Sequence, residues 1–185
     1  NGEKLIKDEW DQVIQVNGVK TLEEYIKTPR VGRKKSISRS QKARYWEYFE
    51  EYRNILDLNK EAELIDLVRE VRLYLEKQGN ILPYKSIIID EGQDIHPEEY
   101  KLIRQMIPEE KNDIFIVGDP HQRIYERQVI LSKCGINIKG RSAKLKINYR
   151  TTDEIRKWSL SLLKGCSFDD LDGNEDKLTR YKSLF

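Results

Sequence analysis

A chain of 185 residues has room for one ordinary hydrophobic core, with or without a helical appendage, and no stretch approaches the ~20 apolar residues a membrane-spanning helix needs. The formal charge of +2 is close to balance although 36% of residues are charged, so local fields outweigh the total. Cys134 and Cys166 are far apart and match no metal or redox spacing, which argues against a zinc module and fits a reducing compartment, the cytoplasm. The first residue is Asn1 and nothing near it reads as a signal peptide, so the expectation is a processed or excised piece.

The first half reads as helical. Between Tyr25 and Trp46 stand Lys27, Arg30, Arg33, Lys34, Lys35, Arg39, Lys42 and Arg44 with no Asp or Glu among them. Flanked by Tyr25, Tyr45 and Trp46, this field suits phosphate contact, with a solvated helix face as the plainer alternative. Ser38 and Gln41 have capping-box spacing, and Tyr45, Trp46, Phe49, Tyr52, Ile55 and Leu56 follow at three- and four-residue steps. A second helix is predicted over Glu61–Lys77, with Leu64, Val68, Val71 and Leu75 on one face and Gly79 as its stop.

After Pro83 the period changes. Ser86–Asp90 is a short β-branched run that predicts a strand buried on both faces of a parallel sheet. Pro97, Glu98 and Glu99 open a helix with Leu102, Ile103, Met106 and Ile107 inward. Asp113–Val117 and Ala143–Ile147 predict two more strands. Thr151 and Glu154 open a further helix with Ile155, Trp158 and Leu162 on one side. From Ser167 the tail is acidic and less patterned. Strand–helix alternation behind a helical subdomain defines an α/β class with a largely parallel sheet.

In open α/β sheets ligands bind beyond the carboxyl ends of the strands. Three polar clusters fall there: Asp90-Glu91-Gly92-Gln93-Asp94, Gly118-Asp119-Pro120-His121-Gln122 and Asn148-Tyr149-Arg150. If the strands share one sheet, acids, a glutamine and an arginine converge at one edge, a composition that suits magnesium and a nucleotide. Each cluster alone is ordinary; turn chemistry explains Gly-Asp, and Asp-Glu after a strand is common. Order and spacing carry the reading. His96 and His121 lack partners at metal spacing and read as structural or solvent-facing.

The clusters resemble, in order, motifs II, III and IV of superfamily 1 helicases of the UvrD/Rep type: IIIDEGQD, IVGDPHQRIY and LKINYRTTDEI. The front of the chain is similar, more weakly, to the helical insertion before motif II. The resemblance implies a partial RecA-like P-loop NTPase sheet behind a helical subdomain. Residues 1–79 would be the insertion, 80–150 part of the first motor domain, and 151–185 the start of the second motor domain or a connecting helix and tail. It implies ATP and Mg²⁺ as cofactors of the complete parent, with single-stranded DNA or a partial duplex and the remaining motor domains as partners.

Carried over by position, Asp90 resembles the magnesium-side carboxylate and Glu91 the group that activates water. Gln122 resembles the γ-phosphate sensor and Arg150 the arginine that stabilises transferred charge. Tyr149 matches the tyrosine that stacks on adenine. Tyr125 lies where motif III approaches single-stranded DNA, or is a packed core tyrosine. Arg30, Arg33, Lys34 and Lys35 are the basic DNA-contact candidates. Gly92 stands where alanine is more usual.

No G-x-x-x-x-G-K-[ST] occurs, and motifs V and VI are not matched, so the expectation is a piece of a 3′-to-5′ helicase or translocase that does not hydrolyse ATP alone. Two alternatives are a helicase-like DNA-binding or scaffold module without catalysis, and a Mg²⁺-dependent nuclease using Asp90, Glu91, Asp94 and Asp119.

Overall fold

Leu5, Ile6, Trp10, Val13 and Ile14 recur at helical steps, and the chain accordingly opens as helix: α1 (Gly2–Glu9), a π-helical turn (Trp10–Ile14) and α2 (Gln15–Asn17). Gly18 ends it at φ 62, a left-handed stop that costs glycine nothing. The computed structural model describes residues 2–30, 35–79, 82–122, 129–163, 168–169, 171, 175–176 and 182–183. Contacts divide the chain into two units, Asn1–Ile88 with Ile95–Phe115, and Ile89–Asp94 with Ile116–Phe185.

In the first unit, Thr21 and Glu24 form a complete capping box on α3 (Leu22–Lys27), and Ser38 and Gln41 form one on α4 (Arg39–Asn59). Each box satisfies amide donors that the first helical turn leaves open. Trp10, Val13, Ile14, Val19, Tyr25, Trp46 and Phe49 bury one another in a shared core. The Phe49 ring lies 5.4 Å from Trp10 and 5.8 Å from Tyr25. Burial of a large apolar side chain is worth about 2 kcal/mol, so these rings hold the helical cluster together.

A buried ion pair sits against that core. Glu9 is fully buried and accepts 2.7 Å bonds from Arg30 Nε and Arg30 Nη2, and one of 2.8 Å from the Tyr25 hydroxyl. Lys42 is buried as well; its Nζ donates to the carbonyls of Tyr25, Ile26 and Thr28 at the end of α3. Two members of the basic field therefore serve the fold.

The predicted second helix is α5 (Leu64–Gln78), starting three residues later than its periodicity suggests. Glu63 has extended backbone at the cap, and its carboxylate is engaged by Trp10 Nε1, Gln15 Nε2 and the Tyr52 hydroxyl. Gly79 ends the helix at φ 74. α5 packs on α6 (Pro97–Met106). Between them Glu98 is buried, with Arg72 Nε at 2.5 Å, Lys101 Nζ at 3.3 Å and Arg69 Nε at 3.8 Å. Burial pushes its carboxyl up, but these cations outweigh that and hold it below the usual range. His96 caps α6, its Nδ1 accepting from the Glu98 amide, with Pro97 at the first helical position.

β1 (Ile87–Ile89) and β2 (Ile114–Ile116) form a two-stranded sheet. Ile87 N–H donates to Asp113 O and Val117 N–H to Ile89 O, each at 2.8 Å; the bonds advance together, so the pair is parallel, as expected of strands joined through α6. The expectation of burial on both faces does not hold. Ile89 is buried, but Ile88 is 78% and Phe115 61% exposed, because one crossover helix can cover only one face of a sheet.

In the second unit the strand predicted over Ala143–Ile147 survives only at its last residue, as part of β3 (Ile147–Asn148), and among the described residues β3 does not pair with β1 or β2. It pairs in parallel with β6 (Lys182–Ser183), while β4 (Phe168–Asp169) pairs antiparallel with β5 (Glu175–Asp176). α7 (Asp153–Leu162) forms as predicted, but its cap is Thr152 rather than Thr151. The Thr151 hydroxyl is taken by the Asn148 side-chain amide, which leaves Thr152 Oγ1 to accept from the Ile155 amide.

Candidate active site

β1 ends by delivering Asp90 and Glu91 into a tight bend, and the bend is strained. Glu91 has φ 52, in the left-handed region that a side chain with a Cβ enters at a cost. Asp90 Oδ1 accepts the Glu91 amide at 2.9 Å, and a 3₁₀ turn (Gly92–Asp94) follows. Gly92 N–H donates to Val117 O at 2.9 Å, which ties the bend to the end of β2. Both Asp90 and Glu91 are exposed, whereas Gln93 is buried.

Gln93 is the bridge between the first two clusters. Its Nε2 donates to Glu91 Oε2 at 2.7 Å, and its Oε1 accepts the Asp119 amide at 2.9 Å. Gly118 is what permits this approach: an added Cβ would meet Gln93 Oε1 at 2.8 Å and Gly92 N at 3.1 Å. The Asp-Glu-x-Gln spacing carries the signal for Gln93, a residue to which sequence reasoning assigned no role of its own.

Asp119 organises its own loop. Its Oδ1 lies 3.0 Å from both the amide and the Nδ1 of His121, and its Oδ2 accepts Gln122 Nε2 at 3.0 Å. The hydrogen bond with His121, aided by Gln122, holds the Asp119 carboxyl down at about 2. His121 thus has a structural part, as His96 does in the first unit.

The third cluster is built on Asn148. Its Oδ1 accepts the amides of Arg150 (2.8 Å) and Thr151 (3.3 Å), a side-chain turn that sets Tyr149 and Arg150 outward. Tyr149 is 67% exposed, and the exposed Arg150 guanidinium has no hydrogen-bond partner among the described residues. No hydrogen bond or ion pair links Asn148, Tyr149 or Arg150 to Asp90, Glu91 or Gln122 among the described residues. The clusters at the ends of β1 and β2 are brought together; the third is not joined to them.

Of the DNA-contact candidates, Arg30 is turned inward onto Glu9 and is only 11% exposed, so its guanidinium is committed to the fold. Lys35 is exposed and offers its carbonyl to Arg30 Nη1. Arg33, Lys34 and Tyr125 lie outside the described residues.

These features define an α/β protein with a carboxylate and carboxamide site at the carboxyl ends of two parallel strands. Residues 4–128 match the family described as the UvrD/REP helicase N-terminal domain, and the chain belongs to that family. It is 29% identical over 165 residues to the ATP-dependent DNA helicase srs2 of Schizosaccharomyces pombe, covering 86% of this chain and 17% of that protein. It is 32% identical over 100 residues to an ATP-dependent helicase/nuclease subunit from Lactobacillus acidophilus, covering 49% of this chain and 8% of that one. The counterpart from Lactobacillus helveticus is 48% identical over 42 residues, 23% of this chain and 4% of its own length. The chain therefore spans less than a fifth of the length of each of these relatives.

Proposed function

We propose that this chain is the motif II to IV portion of an ATP-driven DNA helicase or translocase that moves 3′ to 5′ on single-stranded DNA. The observation that supports this most is the Gln93 bridge, which puts the Asp90-Glu91 bend and the Asp119–Gln122 loop under common control. A hydrolytic carboxylate and a phosphate-sensing glutamine need such a link if turnover is to drive movement.

In this reading residues 1–79 are the helical insertion, 80–150 belong to a RecA-like first motor domain, and 151–185 lead into the second. Asp90 would hold a magnesium ion, whose charge would offset that developing on the transferred phosphate. The donor set fits: Asp90 Oδ2 has no partner among the described residues, and Asp94 Oδ1 is buried without one. Among those residues no group of three or more His, Cys, Asp or Glu side chains is gathered as a metal site. Magnesium suits one or two carboxylates, drawing its other ligands from water and phosphate.

Glu91, oriented by Gln93, accepts the proton of the attacking water. Gln122 is held by Asp119 and exchanges that partner for the γ-phosphate. Arg150 stabilises charge on the transferred group, and the exposed Tyr149 ring stacks on adenine. Tyr125 and the residues Arg33, Lys34 and Lys35 contact DNA. The 185 residues contain no P-loop motif, so the chain alone binds the β- and γ-phosphates too weakly to turn ATP over. The nuclease alternative is disfavoured because both Asp119 oxygens are engaged, Oδ1 by His121 and Oδ2 by Gln122.

The test is ATP hydrolysis and strand separation by the full-length protein on duplexes carrying a 3′ or a 5′ single-stranded tail. DNA-stimulated hydrolysis with unwinding from the 3′ tail is expected. Unwinding only from the 5′ tail overturns the direction, and no stimulation by DNA overturns the motor.

A further inference from the structure

We infer that residues 133–146, distinct in sequence from the basic field ahead of Trp46, form a phosphate-binding surface that grips the backbone of a single-stranded nucleic acid. The first observation is charge. Residues 129–152 contain no Asp or Glu but carry Lys133, Lys139, Arg141, Lys144, Lys146 and Arg150, more positive charge than the +2 of the whole chain. All six are exposed.

The second observation is how the segment is anchored. Val129, Leu131, Cys134 and Ile136 are buried, which fixes the backbone ahead of the basic run and leaves Lys133 between them outward. Beyond them the Arg141 amide donates to Ile138 O at 2.9 Å and the Lys139 amide to Asn137 Oδ1 at 3.0 Å. These bonds close a turn around Gly140, whose φ is +74 and around which an added Cβ would meet nothing within 4 Å. Lys139 and Arg141 thus flank an unshielded backbone position that a phosphate can approach. Lys146 follows toward β3, its carbonyl pinned at 2.9 Å by the Lys182 amide.

The third observation is a contrast. Arg30, Lys42, Arg69 and Arg72 are consumed by internal acids and carbonyls. Lys133, Lys139, Arg141 and Lys146 form no ion pair among the described residues, in a chain with 32 acidic residues available. Cations this close along the chain and without internal partners repel one another, and a polyanion relieves that repulsion while releasing counterions. The geometry asks for phosphates; the choice of single-stranded DNA rests on the helicase reading.

The experiment compares full-length protein with its Lys139→Ala/Arg141→Ala/Lys146→Ala variant by fluorescence anisotropy on a labelled oligodeoxythymidylate across a salt series, without ATP. Losing three phosphate contacts should make the log–log salt slope shallower by about 2, since each contact contributes ~0.7 on single strands. A Lys139→Arg/Lys146→Arg variant should keep the original slope. An unchanged slope in the triple variant overturns the inference, as does intact oligonucleotide binding with lost polyglutamate binding, which would indicate an acidic protein partner. Because the assay uses no ATP, a protein that shows the slope change but no hydrolysis would sink the helicase reading alone.

Discussion

The carboxamide nitrogen of Gln93 holds the carboxylate of Glu91 at 2.7 Å. The same side chain accepts the amide of Asp119 at 2.9 Å, so one residue orients the candidate base and anchors the neighbouring loop. Gln93→Ala should lower kcat for ATP in the full-length protein by about 10- to 100-fold, the usual cost of losing a group that orients a catalytic ligand. The KM should change little, because Gln93 is buried behind the bend. Steady-state hydrolysis checks this; an unchanged kcat would show that Glu91 needs no such support.

The φ of 52 at Glu91 makes a separate prediction about stability. Glu91→Gly and Glu91→Ala both remove the carboxylate and its bond to Gln93, but only alanine keeps a Cβ in the left-handed region. The glycine variant should be the more stable by about 1 kcal/mol in urea denaturation. Equal stabilities would mean that the bend relaxes at no cost once the carboxylate is gone.

Asp119 gives the fold a pH dependence. Its carboxyl is held at about 2, mainly by His121, against an ordinary 3.8. A depressed carboxyl stabilises the native state above the ordinary value and loses that contribution as pH falls through the folded one. The stability gap between wild type and Asp119→Asn should therefore shrink as pH falls from 3.8 toward about 2. Urea midpoints of both proteins across that window test it; a gap that is flat throughout would place the stabilising interactions elsewhere.

Much of this was legible in the sequence, and the failures have physical causes. The Ser38 box, the Gly79 stop, the Pro97 start and the strand at Ile87 are local signals, written within a few residues of where they act. The inward turn of Arg30 and Lys42 was not legible, since it depends on Glu9, 21 residues before Arg30, and on carbonyls at the end of α3. The cap of α7 shifted by one residue because Asn148 competes for Thr151. Composition predicts a five-residue strand over Ala143–Ile147, yet among the described residues the ladder of β3 takes in Ile147 and, beyond that run, Asn148, because pairing requires a neighbour that periodicity does not name. Asp90, Glu91 and Gln122 could be singled out by spacing, but the part played by Gln93 needed the approach that Gly118 allows.

The buried pair of Glu9 and Arg30 makes the helical unit sensitive to a single change. Glu9→Ala would leave the 11% exposed Arg30 guanidinium without its carboxylate and the Tyr25 hydroxyl without its acceptor. Such a loss costs about 3–5 kcal/mol. Chemical denaturation should show it, with Glu3→Ala as the exposed control. A cost equal to that of the control would mean that water reaches Arg30 once Glu9 is removed.

The central claim is that Glu91 activates water in an ATP-hydrolysing site. Its most direct test is the full-length protein carrying Glu91→Gln, assayed in parallel for ATP binding, single-stranded DNA binding and hydrolysis. The account predicts that both ligands bind with affinities close to wild type while turnover falls by at least about 100-fold. Turnover at the wild-type rate with both ligands bound would contradict it.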